Sequence, residues 1–167
     1  MEFRIEFVRD NPLAKEIYQY LFFKRPLNLI LNLIMVVVFV VNLTVGILTG
    51  NWDGSLYLIL VVAFFAYQIY TYNRAVKTML KQELDANNGQ PISVVITANE
   101  EGIIQETSTG KQSTQLYTNM KQVVRTKNLI LIQSPDNLIY TLKKAGFTKG
   151  TAEEFIGFLK EKGVKVK

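Results

Sequence analysis

The chain of 167 residues contains neither cysteine nor histidine and carries a formal net charge of +5 at pH 7. The missing residue types exclude disulfide bonds, thiolate nucleophiles, thiolate or imidazole metal sites and the usual proton carrier at neutral pH. Two long apolar blocks have no charge, one between Arg25 and Asp53 and one between Asp53 and Arg74. In such a chain a basic balance indicates lysine and arginine flanking membrane spans, rather than nucleic-acid binding.

Residues 1–25 are predicted to form a strand followed by a juxtamembrane helix. Apolar residues alternate at Phe3, Ile5 and Phe7, which is the pattern of a half-buried strand. Asp10 or Asn11 can cap the helix that follows. Two alternatives stay open for this helix: it lies along the membrane surface, or it packs against the domain at the other end of the chain.

Residues 26–86 are predicted to form a transmembrane helical hairpin with a cytoplasmic extension. The spans are expected at about 26–49 and 55–72, because a membrane helix needs about 20 predominantly apolar residues. Gly50 and Gly54 break the pattern between them and predict a tight turn. Good helix formers then prolong the second helix to about Ala86.

The distribution of positive charge predicts the orientation of the hairpin. Lys24 and Arg25 precede the first span, Arg74, Lys77 and Lys81 follow the second, and the turn carries no positive charge. The positive-inside rule then places both termini in the cytoplasm, in a multi-pass protein of the cell membrane. The same five cations are candidate contacts for anionic lipid headgroups.

Three polar residues inside the spans are candidate interhelical contacts, namely Asn28, Asn32 and Gln68. Asn32 and Gln68 lie at similar depth on the two helices. We predict a hydrogen bond between them, either across the hairpin or across a subunit interface, because buried amides in membranes seek such partners.

Residues 87–167 are predicted to form a cytoplasmic β domain. Short β-branched or aromatic runs alternate with turn signals and predict six strands in an antiparallel meander, curved or barrel-like. These runs are 92–97, 102–107, 113–118, 122–126, 129–133 and 138–142. A final helix begins at the capping box of Thr151 and Glu154, ends near Gly163, and is expected to pack on the open side of the sheet.

The C-terminal segment "MKQVVRTKNLILIQSPDNLIYTLKKAGFTKGTAEEFIGFLKEKG" resembles the YcxB-like membrane protein family. Leu142, Lys143, Lys144 and Phe147 stand at that family's corner before the last helix, with Lys143 in place of the usual proline. Tyr117 stands where the family tends to have tryptophan. The resemblance implies a fold similar to bacterial pleckstrin-homology-like domains, and it implies no enzymatic activity.

No catalytic residue, metal site, cofactor or nucleic-acid partner is predicted. The leading hypothesis is a non-enzymatic membrane α+β protein of bacterial type, a regulatory or accessory subunit whose pleckstrin-homology-like domain binds a protein partner or a second copy. One alternative is a module that senses anionic membrane lipids, to which Lys143 and Lys144 would contribute. Another is an immunity protein against a membrane-active peptide.

Overall fold

The computed structural model describes residues 2–136 and 138–167. The chain divides into two compact units. We call residues Ile17–Met79 the helical unit, and Met1–Glu16 together with Leu80–Lys167 the β unit. Each is described below by itself.

The described helices are α1 (Asn11–Gln19), a π-helical turn (Tyr20–Lys24), α2 (Pro26–Thr49), α3 (Ser55–Ala86) and α4 (Ala152–Glu161). The predicted first span and the extension of the second helix to Ala86 are confirmed as helices. By length and composition, α2 and α3 are long and apolar enough to cross a membrane. The Asp10 carboxylate accepts the Leu13 N–H at 2.9 Å and is therefore the side-chain cap of α1.

The turn between α2 and α3 is tight because the chain can fold back on small residues. Gly50 ends α2 with φ of 67°, a left-handed conformation that favours glycine. The Trp52 ring lies on Gly46, where a Cβ atom would come within 2.8 Å of the ring. The aromatic side chain therefore folds back over the last turn of α2.

The β strands form two antiparallel sheets. They are β1 (Phe3–Val8), β2 (Ser93–Ala98), β3 (Gly102–Thr107), β4 (Gln112–Leu116), β5 (Gln122–Arg125), β6 (Leu129–Gln133), β7 (Ile139–Lys143) and β8 (Phe147–Lys149). The six predicted strands are confirmed, with bounds that differ by at most two residues. The prediction of one meander is wrong, because the strands separate into a sheet of order β4-β3-β2-β1-β8 and a sheet of order β5-β6-β7.

Strand β1 is an interior strand of the larger sheet. On one side Ile5 pairs with Ile96 of β2, and on the other side it pairs with Phe147 of β8. Phe3, Ile5 and Phe7 are buried and the residues between them are exposed, as the alternation predicts. Residues 87–167 alone would lack this strand, so the β unit needs both ends of the chain.

Helix α4 covers the apolar core of the β unit. Its Phe155 and Phe158 rings lie 5.2 and 5.5 Å from the ring of Phe3. The predicted capping box is present, since the Thr151 hydroxyl accepts the Glu154 N–H and the Glu154 carboxylate accepts the Thr151 N–H. Gly163 follows the helix with φ of 80°, which confirms the predicted end.

Candidate interaction site

The corner before α4 carries two of the candidate headgroup contacts, Lys143 and Lys144, and both have partners within the β unit. Lys143 Nζ lies 2.9 Å from the Asp10 carboxylate. Lys144 Nζ donates to the carbonyls of Thr126 and Lys127 at 2.6 and 3.2 Å. Both side chains are half-buried. Their charges therefore stabilise the corner, and lipid contact by either residue stays a prediction.

Phe147 fixes the other side of this corner. Its ring lies 5.8 Å from that of Phe155 in α4, as expected for a residue that anchors the loop under the helix. Between the lysines and Phe147, Gly146 touches β1 so closely that a Cβ atom would lie 2.6 Å from the Glu6 carbonyl oxygen. The corner is thus packed directly on an interior strand.

Glu16 organises the β5–β6 turn next to this corner. Its carboxylate accepts hydrogen bonds from the backbone and side-chain amides of Asn128 at 2.8 and 2.9 Å, and from the Thr126 hydroxyl. Burial alone would raise the pKa of Glu16, but these donors and the nearby Lys144 hold that pKa below its ordinary value. The ionised carboxylate is therefore part of the folded structure.

We expect acid to weaken the β unit through Glu16. A carboxyl whose pKa is lower in the folded state contributes stability above its ordinary pKa of 4.5, and this stability is lost as pH falls through the folded pKa. Glu16→Gln should lower the free energy of unfolding at pH 7 by about 1–3 kcal/mol, the usual cost of leaving a hydrogen-bonding group without its partner. It should also flatten the fall in stability as pH drops from 7 through the ordinary carboxyl pKa of 4.5 and below.

Denaturant unfolding of the β unit across that pH range checks this prediction. Glu161→Gln, at the exposed end of α4, is the matched control and should keep the native pH dependence. A Glu16→Gln protein with the native slope would contradict the role of the carboxylate. Asp10 has a similarly lowered pKa, since its bonds to Lys143 and to the Leu13 N–H outweigh burial, so some pH dependence should remain.

The polar residues of the helical unit do not form the predicted bond within one chain. The side-chain oxygens of Asn32 and Gln68 are buried and have no hydrogen-bond partner among the described residues. A bond between the two amides would have satisfied one of these oxygens. The Asn28 side chain instead donates to the Leu21 carbonyl at 2.7 Å, within the π-helical turn that precedes α2. Contact across a subunit interface stays a prediction for Asn32 and Gln68.

The cations predicted to flank the spans differ in exposure. Lys24, Arg74, Lys77 and Lys81 are exposed, whereas Arg25 is half-buried. Four of the seven candidate headgroup contacts therefore present their side chains to the surroundings. Exposure alone does not distinguish a lipid-binding role from a role in setting topology.

Tyr117 joins the end of β4 to helix α4. Its hydroxyl donates to the carbonyl of Asn99 at 2.6 Å and lies 3.2 Å from that of Gly102, and burial raises the pKa of this hydroxyl to about 12. The Lys162 ammonium lies over the Tyr117 ring, 5.8 Å from its centroid. The same ammonium lies 2.6 Å from the Glu100 carboxylate, and this hydrogen-bonded ion pair lowers the pKa of Glu100 to about 2. Tyr117, which stands where the family tends to have tryptophan, therefore has a structural role.

A small cavity lies beside the ion pair of Arg9 and Glu83, whose atoms are 2.6 Å apart. Its volume is about 270 Å³, and its lining is mainly apolar. The Glu83 oxygen that does not face Arg9 is buried without a partner in the described part of the chain. This ion pair and the hydrogen bonds of Glu16 could not be predicted from the sequence. Their partners are 74 to 112 residues apart, and no local sequence pattern indicates that they meet.

Among the described residues, no three Asp or Glu side chains are grouped so that they could hold a metal ion. The elements above define a protein with two helices of membrane-spanning length and a β unit closed by a C-terminal helix. Residues 98–159 match the family model described as YcxB-like protein, which confirms the resemblance over these residues. No curated protein and no solved structure matches the chain.

Proposed function

We propose that this chain is an integral membrane protein without enzymatic activity whose β unit is a pleckstrin-homology-like interaction domain on the cytoplasmic side. In this proposal α2 and the apolar part of α3 cross the cell membrane, and the β unit serves as a regulatory or accessory module. Membrane lipids surround the spans, and the partner of the β unit is a protein.

The observation that carries this proposal is the combination of two exposed apolar helices with a closed β unit. Only 6% of the most apolar window in each helix is buried, as expected for helices that a bilayer surrounds. In the β unit, the aromatic residues of α4 fill the core. Of the two corner lysines, Lys143 binds Asp10 and Lys144 donates to the Thr126 carbonyl. This supports a role in which the β unit binds a partner through its surface, rather than a role in which its side chains react with a substrate.

A lipid-sensing role is supported less well by the same contacts. Lys143 and Lys144 already have partners, so this role would depend on the exposed cations Lys24, Arg74, Lys77 and Lys81. Each such charge near an anionic leaflet is worth about 1 kcal/mol. That attraction is equally expected of residues that only orient the spans.

Affinity capture of the tagged full chain, after chemical cross-linking in intact membranes and gentle solubilisation, tests the proposed function. We expect a reproducible protein partner, or self-association, that Lys24→Gln together with Lys81→Gln leaves intact. A membrane fraction without the protein, or capture without any partner or second copy, would contradict the proposal. Loss of capture in the double variant would instead favour the lipid-sensing role.

A further inference from the structure

The edges of the sheets in the β unit are protected to different degrees. β8 is only three residues long and ends at Lys149, which pairs with Glu2. The outer edge of β5 is covered by the C-terminal residues, since the Val123 N–H donates to the Lys165 carbonyl and the Lys167 N–H donates to the Val123 carbonyl. β7 lies close to β1. Short length, charge and coverage are the usual protections of an edge.

β4 is an edge strand without these protections. It is the last strand of the larger sheet, and it contains only uncharged residues in the sequence QSTQL. Its pairing with β3 runs without interruption from Gln112 to Leu116, so no bulge twists the edge away. A regular, uncharged edge of this kind is a template for another strand.

The backbone groups that β4 leaves open can be assigned from the pairing. The Thr107 N–H donates to the Lys111 carbonyl at 3.0 Å, which makes this opposing pair a hydrogen-bonded one. Because such pairs alternate along an antiparallel ladder, Ser113 and Gln115 also bond to β3. The N–H and C=O groups of the three alternate residues therefore point outward, namely those of Gln112, Thr114 and Leu116.

We propose that this open edge pairs with β4 of a second copy of the chain, antiparallel and two-fold symmetric about Thr114. In this register Thr114 lies opposite Thr114 of the second copy, and Gln112 lies opposite Leu116. All the outward N–H and C=O groups are then bonded, and no charge lies opposite a like charge. The same register also places the two threonine side chains together. It covers part of Leu116, whose side chain is 48% exposed in the single chain.

This inference rests on the proposed function and names one partner of the interaction domain. An edge of five residues buries less than the roughly 1,200–2,000 Å² of a stable soluble interface. The dimer should therefore dissociate in dilute detergent. It should form when the spans confine the chains at high local concentration in a membrane.

A single cysteine tests the register, because the chain has no cysteine of its own. In a hydrogen-bonded antiparallel pair the Cα atoms lie about 5.5 Å apart, which suits a disulfide. We expect Thr114→Cys in reconstituted full-length protein to give a cross-linked dimer under mild oxidation. Thr118→Cys is the matched control: in the proposed register its two copies lie more than about 20 Å apart at 3.3 Å per residue, so it should stay monomeric.

Thr114→Lys gives a second measurement that does not depend on a disulfide. Two lysines would face each other at the symmetry axis, so the dimer fraction in liposomes should fall at least several-fold, whereas Thr118→Lys should leave it unchanged. Absence of the Thr114→Cys cross-link, or a dimer that resists Thr114→Lys, would overturn self-pairing. A monomer that still captures a protein partner would overturn this inference and leave the proposed function standing.

Discussion

Phe155→Ala should destabilise the β unit by about 3–5 kcal/mol, the usual cost of removing a large aromatic side chain from a packed core. Phe155 is fully buried, and its ring contacts those of Phe3 and Phe147. Its removal therefore weakens two connections at once, that of α4 to the interior strand β1 and that of α4 to Phe147, where the corner meets the short edge strand β8. Denaturant unfolding of the full chain in detergent, followed by hydrogen exchange of the β6 amides, measures the loss.

Glu161→Ala is the control on the same helix. Its side chain is exposed, so the change should stay within about 0.5 kcal/mol of the native stability. If Phe155→Ala cost no more than this control, α4 would not be the cover of the core. The β6 strand would then have to be protected by other residues.

Gly146→Ala should destabilise the β unit by about 1–3 kcal/mol, because the added methyl group overpacks a site that cannot expand. The new Cβ atom would lie 2.6 Å from the Glu6 carbonyl oxygen and 3.2 Å from the Ile5 side chain. Strand β1 is held on both sides by its neighbours and cannot shift cheaply. Thermal or denaturant unfolding measures the effect.

Gly157→Ala is the same substitution at another glycine, and its expected effect on the free energy of unfolding has the opposite sign. Gly157 lies within α4, and a Cβ atom there meets nothing within 4 Å. Alanine should therefore raise the free energy of unfolding by about 0.4–1 kcal/mol, through helix propensity and a less flexible unfolded chain. A destabilising Gly157→Ala, or a neutral Gly146→Ala, would contradict the packing at these two glycines.

The individual helices and strands of this protein could be predicted from sequence because interactions between residues close together in the chain determine them. The block from Pro26 to Thr49 has no charge for a whole span, and the capping box of Thr151 and Glu154 marks a helix start by hydrogen bonds three residues apart. Alternation at Phe3, Ile5 and Phe7 likewise identified β1. The family resemblance depended on residues close together in the chain.

The partners of these elements could not be predicted in the same way. The alternation in β1 indicates a strand but carries no information on which strands adjoin it, and β8 is too short for a periodic signal. Lys143 and Lys144 looked free in sequence because Asp10 and Thr126 lie 133 and 18 residues away. The side chains of Asn32 and Gln68 show the same limit, since equal depth in two helices does not bring two side chains together.

The interior position of β1 has a consequence for biosynthesis. This strand is synthesised before both of its partners, which begin at Ser93 and Phe147, so it must wait until both hydrophobic helices have been made. Such long-range pairing folds slowly and leaves apolar strand residues exposed in the nascent chain. In a chain that inserts as we propose, the larger sheet can be completed only after the second helix has been inserted into the bilayer. A completed sheet would therefore identify a chain whose two helices are already inserted.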